Sequence, residues 1–187
     1  MTAAIEQWLE RRGVTVRDVA EIVLSLQRPY NGRLTITDCE ESVRAVLAKR
    51  EVQYTLLTGI ALDELADRGL LPEPLQRIME DDESLYGVDE TLALGIVSVY
   101  GMIGLTSFGY LDKMKPGVIG RLNGARGTDP RSGTGTDGGI GGGRAGGPRC
   151  RVHVFLDDLV SALAAAASAR IAHQNPDARD YGLPGEG

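Results

Sequence analysis

Three groups of acidic residues border the two most apolar stretches of this chain. Their members are Asp82, Asp89 and Glu90, then Asp112, and then Asp157 and Asp158. Carboxylates that border buried segments can be held close together in a partly dry site, which is what the binding of a hard cation such as Mg²⁺ and of a phosphate group requires. The residue types therefore indicate metal-assisted phosphate chemistry as the first hypothesis.

The acidic groups also have a simpler explanation. The chain carries no charge over the 21 residues from Thr91 to Leu111, nor from Leu159 to Ala169. If both stretches are helical, acids just before them fall in a first helical turn, where the helix dipole favours negative charge by about 0.3 to 1 kcal/mol per group. The sequence does not show whether the three groups converge, so both interpretations stay open.

Helical spacing of apolar residues predicts the elements that would position these acids. Hydroxyl residues followed three positions later by an acid predict two helix starts, at Thr15 with Asp18 and at Thr37 with Glu40. Apolar residues then recur with the helical period, and the run after Thr37 predicts one long helix or two abutting helices. Residues 73–82 predict a further short helix, and strand-like alternation is nowhere sustained.

The longest uncharged stretch predicts a long helix over 88–114, or a tight pair of helices bent around Gly104 to Gly109. About 20 apolar residues are enough to cross a bilayer, so a transmembrane helix has to be considered. The four glycines of the stretch and its polar residues, Ser98, Thr106 and Ser107, favour instead the central helix of a soluble bundle.

Composition restricts the class of protein. The chain has 187 residues, of which 42% are hydrophobic, enough for one domain with a substantial core. A net charge of −6 and a pI of about 5.0 argue against nucleic acid as a partner. Cys39 and Cys150 imply neither a disulfide framework nor a zinc site and fit a reducing cytoplasm. The first 12 residues lack the apolar core of a signal peptide, so no export is predicted.

We therefore expect an all-α, single-domain helical bundle over residues 1–174. The segment 124–149 contains 11 glycines and 4 arginines and is predicted to be a flexible insertion within that domain. Residues 175–187 are predicted to be a disordered tail.

The acids lie within longer motifs that occur in a fixed order. The motifs are Asp82-x6-Asp89-Glu90, Tyr110-Leu-Asp112-x-x-Lys115-Pro116 and Phe155-Leu-Asp157-Asp158. Their order, spacing and helical context resemble those of the phosphatidylglycerophosphatase A family. The sequence around these motifs resembles that of the soluble Gram-positive branch of the family, which is also named after a low-temperature-requirement protein. Examples are Phe108-Gly-Tyr-Leu-Asp-Lys113 and His153-Val-Phe-Leu-Asp-Asp158.

The resemblance implies a Mg²⁺-dependent phosphatase that converts phosphatidylglycerophosphate into phosphatidylglycerol and phosphate. It implies that metal binding and water activation are shared by Asp89, Glu90, Asp112, Asp157 and Asp158. Asp82 is a weaker candidate, and Lys115 would contact the phosphate. Which acid is a metal ligand and which is a base or nucleophile stays open.

The same resemblance implies where the protein works and what it meets. A phosphorylated lipid would be reached by peripheral contact with the inner face of the membrane, from the cytoplasm. Exposed apolar helix faces make a homodimer a further expectation. Two alternatives remain: an all-α nucleotide pyrophosphohydrolase, whose usual Glu-x-x-Glu pairs do not stand out here, and a non-catalytic helical protein that supports cold or stress tolerance.

Overall fold

The computed structural model describes residues 1–124 and 152–174, and every regular element in these ranges is helical, which confirms the predicted all-α class. The α-helices are α1 (Thr2–Arg11), α2 (Val16–Gln27), α3 (Ile36–Leu47), α4 (Arg50–Asp67), α5 (Leu75–Asp81), α6 (Val88–Val97), α7 (Gly101–Met114), α8 (Val118–Gly124) and α9 (Leu156–Gln174). The predicted glycine-rich insertion, apart from Gly124, and the predicted tail lie outside the described residues.

Helix α9 is the centre of the bundle. Its residues are buried without interruption from Leu156 to Ala169, and α2, α3, α4, α6, α7 and α8 all pack against it. Most side chains in this stretch are alanine or serine, so neighbouring helices can surround it closely on every side. The first turn of α9, which carries two of the candidate acids, is therefore held inside the fold.

The two predicted helix starts have different outcomes. Thr15 and Asp18 cap α2 reciprocally: the Thr15 hydroxyl accepts the Asp18 amide at 3.0 Å, and the Asp18 carboxylate accepts the Thr15 amide at 2.9 Å. The start predicted at Thr37 with Glu40 is wrong. Thr35 and Asp38 form the same reciprocal cap two residues earlier. Thr37 therefore lies inside the first turn of α3.

The long helical run after Thr37 forms two abutting helices, α3 and α4, which is one of the two predicted arrangements. The short helix predicted over residues 73–82 is α5, but it begins only at Leu75. Pro74 precedes it as the N-cap residue, and a proline is tolerated at a helix start because the amide that it lacks would have no partner within the helix.

Helices α6 and α7 form the predicted bent pair, but the bend lies earlier than predicted. A 3-10 turn, Ser98–Tyr100, separates them, and Gly101 follows with a φ of 67°, a conformation that glycine adopts without strain. The proposed hinge at Gly104 to Gly109 is wrong, because that segment is regular helix. Gly104 serves close packing instead: a Cβ there would lie 2.9 Å from the Val97 carbonyl oxygen.

By length and composition, 88–114 is the one helical stretch in the described ranges that is long and apolar enough to cross a membrane. In its most apolar window, 33% of the residues are buried inside the fold. Most residues of this window are therefore outside the buried core of the bundle.

Candidate functional site

The Lys115 ammonium lies among three carboxylates that come from two helices. Its Nζ is 2.6 Å from Asp112 Oδ1, which belongs to α7 itself. It is also 3.2 Å from Asp157 Oδ2 and 3.5 Å from Asp158 Oδ1, both in the first turn of α9. The second and third acidic groups of the sequence therefore converge on one cation.

Helix α7 presents Lys115 at its very end, in an unusual backbone conformation. Lys115 is the C-cap residue and has a φ of 45°, in the left-handed region that few residues other than glycine adopt. Its amide donates to the Leu111 carbonyl at 2.8 Å. Gly120 of α8 packs directly beneath it, since a Cβ there would lie 2.5 Å from the Lys115 carbonyl oxygen. Backbone strain of this kind is typical of functional positions.

The two acids of α9 are almost completely buried. The side chains of Asp157 and Asp158 are 3% and 6% exposed. Burial first, and then the charge of Asp157, raise the pKa of Asp158 to about 8, although Lys115 opposes the rise. The surroundings of Asp158 therefore favour its protonated form more than those of an ordinary carboxyl group do.

Lys115 responds in the opposite sense. Burial alone would lower the pKa of its ammonium, but the charges of Asp157, Asp158 and Asp112 and the hydrogen bond to Asp112 raise the pKa above its usual value. Lys115 is therefore charged throughout the physiological range and gives the site a permanent positive point charge.

Asp89 adds a fourth carboxylate from the first turn of α6. Its charge contributes to the raised pKa of Asp158. Burial, and after it the charge of Asp89, also raise the pKa of Tyr86, whose ring packs edge-on against Phe155. The Oδ1 atom of Asp89 is buried and has no hydrogen-bond partner. A buried oxygen without a partner is costly and is a common feature of ligand-binding positions.

Two predicted acids lie apart from this cluster. Glu90 is exposed, although it directly follows Asp89 in α6. Asp82 is also exposed and caps the end of α5 in a left-handed conformation. Neither is among the acids that pair with Lys115. The site cluster, as we define it, consists of Asp89, Asp112, Lys115, Asp157 and Asp158.

The donor chemistry of the site cluster fits Mg²⁺. Carboxylate oxygens are the ligands that Mg²⁺ prefers. Four carboxylates are grouped with a single ammonium: three of them contact Lys115, and one oxygen of the fourth, Asp89, has no partner. After burial, the neighbouring carboxylates are the main reason for the raised pKa of Asp158. Among residues 1–124 and 152–174, no three acidic, histidine or cysteine side chains are already spaced around one point as metal ligands. The Lys115 ammonium lies between the carboxylates and would have to turn aside.

A second polar cluster, which the sequence did not predict, holds the start of α9. The carboxylate of Asp63 in α4 is fully buried and accepts the backbone amides of Phe155 at 3.1 Å and Leu156 at 3.0 Å. Burial raises the pKa of Asp63 to about 7, and these two amides and Arg12 oppose the rise. The sequence carries one signal for it, a lone acid three residues after Ile60 on the apolar face of α4.

The family model described as phosphatidylglycerophosphatase A matches residues 7–134. The chain belongs to the phosphatidylglycerophosphatase A family. This confirms the resemblance inferred from the ordered acidic motifs. The matched region contains Asp89, Asp112 and Lys115, and it ends before α9.

Relatives of this phosphatidylglycerophosphatase A family chain extend over most of its length. It is 48% identical to the uncharacterized protein YutG of Bacillus subtilis over 174 residues, which are 93% of this chain and 92% of the relative. A solved protein of unknown function from Bacillus stearothermophilus matches with a TM-score of 0.79 and 48% identity, over 93% of this chain and 94% of its own. The low temperature requirement C protein from Listeria monocytogenes matches with a TM-score of 0.76 and 46% identity, over 92% and 95%.

Proposed function

We propose that this protein is a Mg²⁺-dependent phosphatase that hydrolyses phosphatidylglycerophosphate to phosphatidylglycerol and inorganic phosphate. The observation that carries the proposal is the site cluster: three carboxylates from α7 and α9 contact one lysine, and Asp89 of α6 lies close enough to act on Asp158, in a member of the phosphatidylglycerophosphatase A family. The reaction breaks the bond between phosphorus and the lipid oxygen. Water supplies the new oxygen on phosphorus, and its proton ends on the lipid alcohol.

Lys115 is assigned to the phosphate. Its ammonium is permanently charged and lies 24% exposed at the edge of the cluster, so it can meet an anion that arrives from outside. A lysine acts on phosphate as a point charge, and such a charge stabilises the transition state most strongly where water is largely excluded.

Asp89, Asp112, Asp157 and Asp158 are assigned to Mg²⁺. When bound, Mg²⁺ would neutralise phosphate oxygens and make a water molecule more acidic. The carboxylates would orient that water and take up its proton. Glu90 stays a predicted ligand from the sequence, but its exposure places it outside this assignment.

The test is phosphate release from phosphatidylglycerophosphate in detergent micelles, with Mg²⁺ or with EDTA, beside release of pyrophosphate from nucleoside triphosphates. The proposal expects lipid phosphatase activity that EDTA removes and no activity on the nucleotides. Nucleotide cleavage alone would assign the chain to the all-α pyrophosphohydrolases. No release from either substrate, together with no Mg²⁺ binding, would favour the non-catalytic alternative.

We further propose that the protein meets its lipid at the inner, cytoplasmic face of the membrane. Supporting this, α6 and α7 carry site residues at their outer ends and leave uncharged side chains exposed between them. These exposed apolar side chains are Leu94, Val99, Met102 and Ile103. The helices that carry the site would then contact the same bilayer that holds the acyl chains of the lipid.

Co-sedimentation with phosphatidylglycerol vesicles tests this location. Met102, which is 71% exposed, is replaced by Glu. Binding by the wild type that is lost in Met102→Glu supports membrane contact. A change from dimer to monomer in the same variant, with vesicle binding unaltered, would assign the face to a second copy of the chain instead.

A further inference from the structure

The start of α9 lacks the side-chain cap that α2 and α3 have. The first amides of a helix have no partners within the helix, and a Ser, Thr, Asp or Asn just before it normally accepts them. In α9 the residue just before the helix is Phe155, whose side chain has no hydrogen-bond acceptor. Asp63, from α4, replaces the missing cap by accepting the amides of Phe155 and Leu156 with its two oxygens.

The segment just before α9 is fixed from the same side. Asp67, one helical turn after Asp63, accepts the Val152 amide at 2.6 Å. Arg12 donates to Asp67 and to the Val152 carbonyl, and it lies 3.1 Å from Nδ1 of His153. Arg12, Asp63 and Asp67 are called the anchor cluster below. The anchor cluster fixes the backbone from Val152 to Leu156.

A glycine in α4 lets this helix approach α9 closely enough for the Asp63 side chain to accept these amides. Gly59 lies one turn before Asp63 in α4, and a Cβ added there would be 2.5 Å from Leu159 Cδ1 and 3.0 Å from Phe155 Cβ. A larger residue would displace the end of the Leu159 side chain and crowd Phe155 at the start of α9. The close approach and the carboxylate cap therefore belong to the same arrangement.

We infer that Asp63 is a positioning residue for the site cluster: it sets the placement of the first turn of α9, and thereby of Asp157 and Asp158 opposite Lys115. These two acids follow immediately on Leu156, whose amide Asp63 binds. Successive residues of a helix point about 100° apart, so a small rotation of the first turn would move both carboxylates away from Lys115. Asp63 itself contacts the backbone of α9 and not Lys115.

The catalytic part of this inference rests on the proposed function, so its test has a readout that does not need activity. The variants are Asp63→Ala, the nearly isosteric Asp63→Asn in case the alanine variant fails to fold, and Gln27→Ala as a matched control. Gln27 donates a buried hydrogen bond at 2.7 Å to Ser168, near the other end of α9. The variants at Asp63 and at Gln27 thus each lose a buried hydrogen bond to α9.

Hydrogen exchange, followed by mass spectrometry on the full chain, reports where α9 loosens. In Asp63→Ala, amides of residues 156–160 should exchange about tenfold faster, while those of residues 166–171 keep their rate. In Gln27→Ala, the amides of residues 166–171 should exchange faster, while those of residues 156–160 keep their rate. Exchange in the first turn that is unchanged in both Asp63 variants would overturn the inference, whether or not the protein is a phosphatase.

Steady-state kinetics at a temperature where all variants are folded adds the link to the site. Misplacement of catalytic groups by about 1 Å costs on the order of 100-fold, so Asp63→Ala should lower kcat by about 10- to 100-fold with little change in KM. Asp63→Asn, which keeps one acceptor, should recover part of the loss, and Gln27→Ala should stay within about twofold of wild type. A loosened first turn with full kcat would reduce Asp63 to a purely structural role. Absence of activity in the wild type would instead contradict the proposed function and leave the exchange result valid.

Discussion

Two polar clusters meet at the first turn of α9, and they differ in how their carboxylates are satisfied. In the anchor cluster, all four oxygens of Asp63 and Asp67 accept hydrogen bonds from backbone amides or from Arg12. In the site cluster, three carboxylates share the Lys115 ammonium, and one oxygen of Asp89 has no partner. The carboxylate oxygens of the anchor cluster are all partnered, although the buried Nε of Arg12 is not, whereas the site cluster leaves a carboxylate oxygen without a partner.

The pKa values show the same contrast. Burial raises the pKa of both Asp63 and Asp158, to about 7 and about 8. For Asp63, two backbone amides and Arg12 oppose the rise. For Asp158, three neighbouring carboxylates increase it, and Lys115 opposes them. The hydrogen-bonded carboxylates of the anchor cluster keep the backbone at the start of α9 in place. The uncompensated negative charge of the site cluster can bind a cation, and Lys115 can bind an anion.

The largest effect should come from removing the shared cation. Lys115→Ala is expected to lower kcat by on the order of 100- to 1000-fold, because the transition state loses a charge aimed at the phosphate. Lys113→Ala is the matched control, since Lys113 is an exposed lysine two residues earlier in α7. Equal activity in the two variants would remove Lys115 from the chemistry.

The binding of Mg²⁺ should depend strongly on pH. A cation must displace the proton that Asp158 holds below its pKa of about 8. The affinity should therefore increase by up to about tenfold per pH unit between pH 6 and 8 and level off above that. Calorimetric titration of the wild type and Asp158→Asn checks this, because the variant should show a much flatter dependence. An equally steep profile in Asp158→Asn would assign the proton to another group.

Substitutions in the two clusters should change stability in opposite directions. Asp67→Asn weakens the pairing with Arg12 and should lower the free energy of unfolding by about 1 to 3 kcal/mol. Asp89→Asn removes one of several repelling charges and should leave the Mg²⁺-free protein equally stable or up to about 1 kcal/mol more stable. Urea denaturation with EDTA present gives both values. A clear loss of stability in Asp89→Asn would mean that Asp89 belongs to the structural framework.

The smallest effect should come from Glu90. Because its side chain is exposed and not paired with Lys115, Glu90→Gln should keep kcat and Mg²⁺ affinity within about twofold of wild type. The same micelle assay and titration measure it. A large loss would restore Glu90 to the metal ligands that the sequence predicted.

Part of the fold and of the site could be predicted from the sequence because the signals are local. The Thr15 cap, the helical periods and the placement of Asp89 and Asp157 in first turns depend only on neighbouring residues. The predicted position of the bend was wrong because the stretch 88–114 contains four glycines, any of which could mark it, and only Gly101 among these four adopts a positive φ.

The remaining features depend on contacts between distant residues. Asp89 and Glu90 are adjacent and chemically alike, and only packing decides that the first is partly buried and the second exposed. The anchor cluster joins Arg12, Asp63 and Val152, which lie far apart in the chain. A single acid on the apolar face of a helix is a weak signal by itself. The role of Asp63 as the cap of α9 can therefore be recognised only from the three-dimensional structure.

The most direct test of the account is Mg²⁺-dependent phosphate release from phosphatidylglycerophosphate, measured side by side for the wild type, Asp158→Asn and Glu90→Gln. We predict release by the wild type and by Glu90→Gln that EDTA abolishes, and almost none by Asp158→Asn. Release that survives in Asp158→Asn, or a folded wild type that binds Mg²⁺ but releases no phosphate from this lipid, would contradict the account.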